Sequence, residues 1–266
     1  MKKERDIFFT ALMFLTRLPV PKNINHAEAY LQKSPKYFPL VGWIVGLVSV
    51  MSFLLFKFIS VDIAVLASII AGIFTTGCFH EDGFADTCDA FGGGWTKEKI
   101  LAIMKDSRLG TYGVAGLGLM LTAKFLLLKE LVAYLSFGAQ NEKQLFGLIV
   151  ATLVAAHALS RFMSVLVLQQ YQYVTADDGS KSKPVASKKL SLVELATAAV
   201  FAVLPFAWLP LAFLLAFLPM VLISFLMANY FKKWIGGYTG DCLGAIQQVS
   251  EILFYLSILT IWKFIL

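Results

Sequence analysis

Three carboxylates in one short stretch are the first residues of this sequence that could do chemistry. Asp82, Asp86 and Asp89 stand four and three positions apart. At about 100° per helical residue they share one face. Like charges four apart destabilise a helix, so such a face calls for a compensating cation. All-oxygen donors suit a hard ion, Mg²⁺ or Mn²⁺. The plainer alternative is an acidic, solvated loop. Gly83, Phe84 and Ala85 between the acids speak against it, because none is a solvating residue. Six of the 17 acidic residues (Glu81, Asp82, Asp86, Asp89, Glu98 and Asp106) fall between positions 80 and 111.

Three further groups could serve that site. Lys105 and Arg108 flank Ser107 and precede Gly110, Thr111 and Gly113. A guanidinium fork with hydroxyl and backbone donors suits phosphate oxygens, though loop cations of this kind also serve only to set topology. His157 and Arg161 are four apart and share a helical face. An arginine deep in a membrane helix costs about 2.5 kcal/mol or more if it meets lipid, so it should face the bundle interior. It is expected there to hold a substrate phosphate or to pair with Glu251 at comparable depth. Asp241 is expected to cap the last helix and could add a metal-binding or nucleophile-orienting carboxylate. Gly236, Gly237, Gly240 and Gly244 around it also suit close helix packing. Cys78, Cys88 and Cys242 form no CxxC pair, and their spacing with His80 fits no usual zinc pattern.

The elements that must position these groups are membrane helices. The 266 residues are 58% hydrophobic and only 15% charged, against about 25% charged in soluble domains. That composition excludes a soluble globule, a disordered chain and a disulfide scaffold. The continuous apolar runs lack the alternation of an outer-membrane barrel. The expected fold is all-α: a polytopic helical bundle forming one domain over residues 1–266. About seven spans are expected, at 40–56, 63–79, 112–128, 144–170, 190–209, 211–230 and 243–262. The stretch 7–16 is too short to span, and Arg17, Pro19 and Pro21 stop it. It reads as an interfacial or re-entrant helix.

With the N-terminus inside, seven crossings place 17 of the 23 Lys and Arg on the inner side, Lys181, Lys183, Lys188 and Lys189 among them. That asymmetry predicts the N-terminus and the acidic segment in the cytoplasm. The net charge of +6 is then mainly a topology signal, and no nucleic-acid partner is expected.

The residues resemble a family. The stretch from His80 to Ala90, the Asp106-Ser107-Arg108-Leu109-Gly110-Thr111-Tyr112-Gly113 run and Gly240-Asp241-Cys242-Leu243-Gly244-Ala245 look like adenosylcobinamide-GDP ribazoletransferase, the cobalamin (5′-phosphate) synthase. So do the stretches from Phe14 to Pro21 and from Phe38 to Gly42. The match runs in order over nearly the whole chain, and the first acidic motif is its most specific part. The resemblance implies a Mg²⁺-dependent enzyme of the inner membrane. It would join adenosylcobinamide-GDP to α-ribazole or its 5′-phosphate and release GMP. It implies Asp82, Asp86 and Asp89 as metal ligands, with Glu81 as a fourth. One of these or Asp241 would take the alcohol proton. Arg108 and Arg161, with Lys105 and His157, would hold the substrates. Membrane lipid is an expected partner; a second copy and other cobalamin-assembly enzymes are compatible ones.

Two other readings compete. The acids also resemble, by chemistry and not by spacing, those of CDP-alcohol phosphotransferases acting on lipid. A cation or solute transporter would place its polar residues near the bilayer midplane, whereas here the acids cluster at one edge.

Overall fold

Long apolar runs become helices here because hydrocarbon offers the backbone no partner, so each N–H and C=O must be satisfied within its own segment. The computed structural model describes residues 2–25, 27–174, 185 and 188–265; Lys181 and Lys183 lie outside them. The helices are α1 (Lys2–Leu15), α2 (Glu28–Lys33), α3 (Phe38–Phe56), α4 (Val61–Thr76), α5 (Phe79–Gly93), α6 (Lys97–Met104), α7 (Thr111–Gly138), α8 (Glu142–Gln170), α9 (Leu192–Val203), α10 (Phe217–Ile235) and α11 (Gly240–Phe264). Among the described residues there is no strand, only one isolated bridge between Tyr173 and Tyr238.

Local chemistry sets the ends. Ser60, Thr96 and Asn141 each accept a hydrogen bond from the backbone three residues on, capping α4, α6 and α8. Ser191 and Glu194 close a reciprocal capping box on α9. Gly77, at φ 65°, ends α4 in the left-handed region that glycine adopts without strain. Thr239, and not the expected Asp241, caps α11: its hydroxyl accepts from the Cys242 N–H. A threonine directly before the first turn leaves Asp241 inside that turn, where its carboxylate meets its own backbone N–H and the Thr239 hydroxyl.

Five helices, those ending in α3, α7, α8, α10 and α11, are long and apolar enough to cross a membrane. The second expected span is a pair, since α4 and α5 meet at 88°. With α4 along the membrane normal, α5 lies across it. The acidic stretch is therefore a helix of its own and not a loop. The fifth expected span, 190–209, is shorter and broken: α9 runs into a 3₁₀ turn at Leu204–Trp208, where Pro205 supplies no N–H to continue a helix. The third is longer than expected, because α7 continues past Lys129, which pairs with Asp62 of α4 at 2.9 Å. The N-terminal segment is α1, with Ile7, Ala11, Leu12 and Leu15 buried; Lys36 anchors it to Glu4 at 2.6 Å.

Helix α8 is the centre of the bundle. Nearly all of its residues from Leu148 to Leu168 are buried, against α3, α9, α10 and α11. Gly42 and Gly46 let α3 approach it closely. A β-carbon on Gly46 would stand 2.8 Å from the Val154 Cα, and one on Gly42 would meet the His157 carbonyl. Small residues four apart are the usual means of such contact between membrane helices. Met51 and Leu55 of α3, Leu119 and Leu126 of α7, and Leu218, Leu222 and Leu226 of α10 are exposed. An apolar exterior of that extent fits lipid, not water.

Candidate active site

The acidic helix is held from two sides by glycines. A β-carbon on Gly83 would stand 3.0 Å from the Asp241 Cα, and one on Gly244 would stand 3.2 Å from the His80 carbonyl oxygen. The two motifs thus pack directly on each other, which brings Asp241 to the acids of α5. On the other side Asp89 clamps α7. Its two carboxylate oxygens accept the Gly110 N–H at 2.7 Å and the Gly113 N–H at 2.8 Å. These are N–H groups that the start of a helix leaves unpaired, and an anion there also meets the helix dipole favourably. A β-carbon on either glycine would meet the Asp89 carboxylate, so acid and glycines form one device linking the two motifs.

This anchoring role competes with Asp89 as a metal ligand. Asp89→Asn puts an amide donor against a backbone donor. The expected result is a loss of about 1–3 kcal/mol of stability, read as a lower melting temperature in detergent. Unchanged melting with lost turnover would instead make Asp89 a ligand.

Asp82 and Asp86 are placed differently. With Glu81 and Ser107 they line an open cleft of about 640 Å³ of atom-free space, its mouth included. Among the described residues neither carboxylate has a hydrogen bond or ion pair. The charges of Asp82, Asp89 and Asp241 all act on Asp86. Cys78, exposed, lines the same cleft; Cys88 is half-buried and Cys242 buried, all free thiols. No three His, Cys, Asp or Glu side chains among the described residues converge into a ready-made metal cage. The donor set still fits Mg²⁺, which is usually held by one or two carboxylates, waters and substrate phosphates.

The expected phosphate clamp is divided. Ser107 lines the cleft, but Arg108 is turned to solvent. It pairs with Asp106 at 2.6 Å and holds that carboxyl down at about 2, chiefly by hydrogen bonding. Lys105, beside Asp106, ends α6.

Behind the acids lies a buried polar chamber lined by residues of α4, α5, α7, α8 and α11. Glu81 lines both chamber and cleft. Its Oε1 accepts from Gln248 Nε2 at 2.8 Å, and its Oε2 is buried without a partner among the described residues. Gln248 Oε1 in turn accepts from Lys124 Nζ at 3.3 Å. The Arg161–Glu251 pair, the alternative to a phosphate contact, is not formed among the described residues. Glu251 pairs with Lys124 at 3.0 Å and also accepts from Gln247 at 2.8 Å and Tyr255 at 3.3 Å. The physical reason is local: an Arg161 terminal nitrogen donates to the His157 carbonyl one turn back at 2.9 Å, while α7 delivers an amine to Glu251. His157 Nδ1 stands 3.6 Å from Glu251. Lys124, Gln247 and Gln248 are the residues that sequence reasoning missed. Their signal was polar side chains inside apolar spans, which demand partners.

The fold and the cleft define a class: a multi-pass helical membrane protein with unpartnered acids facing an open cleft at one end of a charged interior. The chain belongs to the cobalamin-5-phosphate synthase family, whose sequence profile matches residues 7–259. It is 44% identical to the adenosylcobinamide-GDP ribazoletransferase of Shewanella frigidimarina, over 97% of this chain and 96% of that one. It is 40% identical to that of Leptospira interrogans, over 99% and 98%. No solved structure matches it. The protein is accordingly an enzyme, a transferase of cobalamin biosynthesis.

Proposed function

We propose that the enzyme joins adenosylcobinamide-GDP to α-ribazole or α-ribazole 5′-phosphate, releasing GMP, with Mg²⁺ held by Asp82 and Asp86. The names of the relatives support the substrates. The observation that carries the chemistry is two carboxylates on a cleft wall with no partner among the described residues. A ribazole hydroxyl attacks the phosphorus next to the cobinamide arm. A new P–O bond forms, the P–O–P bond breaks, and GMP leaves with the electron pair. Bound Mg²⁺ would neutralise charge on the phosphate oxygens and ease loss of the alcohol proton.

The chain's own residues supply the rest. Asp241, whose backbone packs on Gly83, would accept the alcohol proton. The Ser107 hydroxyl gives the cleft a neutral donor for phosphate. The charge asymmetry of the loops supports an inner-membrane enzyme whose cleft faces the cytoplasm.

The test is purified protein in detergent with Mg²⁺, adenosylcobinamide-GDP and α-ribazole 5′-phosphate. GMP is expected to appear, and chelation of the metal is expected to stop it. No GMP, with turnover of a CDP-alcohol instead, would overturn the reading.

A further inference from the structure

A second chamber lies on the other side of the first turn of α5, and five aromatic rings line it. Phe14 stacks on Phe38 with centroids 5.9 Å apart and meets Phe79 edge-on at 5.4 Å. Tyr173 meets Tyr238 edge-on at 5.7 Å. These five rings and Arg161 line about 510 Å³ of atom-free space, the mouth included. Two polar groups in this apolar wall have unmet valences. Among the described residues the Tyr238 hydroxyl and Arg161 Nε are buried without a hydrogen-bond partner, in residues only 1% and 2% exposed. Leaving such a group unpaired costs about 1–3 kcal/mol. A wall that does so twice, beside stacked rings, has the form of a ligand site.

The chemistry of the wall selects the ligand. Flat rings favour a flat aromatic body, and a guanidinium favours a phosphate. Arg161 Nε can only donate and the Tyr238 hydroxyl can donate or accept, so a ligand that brings acceptors satisfies both. Among the described residues no carboxylate lines this chamber. The Ser164 hydroxyl on its edge already donates to the Leu243 carbonyl at 2.9 Å. Guanine carries three N–H donors on one edge, more than the Tyr238 hydroxyl alone can accept, which disfavours it. The base of α-ribazole is a fused bicycle of low polarity with one free ring nitrogen, an acceptor.

We propose that this chamber binds the nucleotide acceptor, its base among the rings with the ring nitrogen on the Tyr238 hydroxyl, its phosphate on Arg161. The proposal rests on the reaction proposed above. Phe79 and His80 line this chamber, while Asp82 and Asp86, about one and two helical turns further, line the cleft. The acceptor would thus lie across the start of α5 from the acids that act on its partner.

Steady-state kinetics of GMP release test this with both substrates varied. Tyr238→Phe removes one hydroxyl and keeps the ring. It is expected to raise KM for α-ribazole 5′-phosphate about five- to tenfold, with KM for adenosylcobinamide-GDP unchanged. Arg161→Lys keeps the charge but loses the fork, and should reduce the preference for α-ribazole 5′-phosphate over α-ribazole about tenfold. An acceptor KM unaltered by Tyr238→Phe overturns the assignment. So does a weakened inhibition by GMP in that variant, which would make the chamber the guanine site. Absence of GMP release from the unmodified enzyme would sink the underlying reaction instead, so the two failures are distinguishable.

Discussion

Replacing Asp82 or Asp86 by alanine is expected to reduce turnover by about a thousandfold or more while the protein still inserts and folds. The size follows from what a charged group does for phosphoryl transfer, where neutralising the developing charge is most of the catalysis. The sparing of the fold follows from geometry. Neither carboxylate has a protein partner among the described residues, and both stand among like charges. Removing one leaves no donor orphaned and relieves repulsion. Stability should move by no more than about 0.5 kcal/mol, as for ordinary surface changes. The rate of GMP release and the melting temperature in detergent, measured on the same preparations, check both halves. Turnover retained in both variants would remove the metal-ligand assignment. A large drop in melting temperature would make the two acids structural.

The opposite pattern is expected at Lys124. Its amine lies 3.0 Å from Glu251, and both side chains are almost wholly buried. Lys124→Met leaves the Glu251 carboxylate inside the bundle without its countercharge, and Gln248 loses a donor. Breaking a buried pair from one side costs about 3–5 kcal/mol. The single variant should therefore express poorly or melt far lower. The double variant Lys124→Met/Glu251→Gln removes both charges and should recover most of that loss, since a buried pair as a whole contributes little net stability. If the single variant melts normally, Arg161 has taken over Glu251 and the network is less fixed than the distances imply.

Much of the fold was legible because lipid imposes a simple rule. Continuous apolar runs must be helical: five of the seven expected spans fall on α3, α7, α8, α10 and α11, and a sixth falls on the bent α4–α5 pair. The remaining one fails at Pro205, whose effect is local and does not register in an average over twenty residues. The face shared by Asp82, Asp86 and Asp89 was legible from spacing alone, since all three lie on α5. Their division of labour was not. It depends on which backbone N–H groups α7 presents to Asp89, and that is a contact between segments 21 and 24 residues apart. The same limit explains Glu251. Sequence could place Arg161 at its depth, but only packing shows that Lys124 arrives first. Arg108 looked like a phosphate ligand because its neighbours suit phosphate; Asp106, two residues earlier, already occupies its fork.

The three free thiols differ sharply in access, and the exposed one, Cys78, sits on the cleft wall where α4 gives way to α5. The enzyme therefore carries its own chemical reporter. A maleimide too polar to cross lipid, added to sealed vesicles of known sidedness, marks this position from one side only and so reads which compartment the cleft opens to. Because the thiol shares its wall with Asp82 and Asp86, the same alkylation slows when substrate fills the cleft. One unmodified side chain thus records both the topology of the protein and the occupancy of its site.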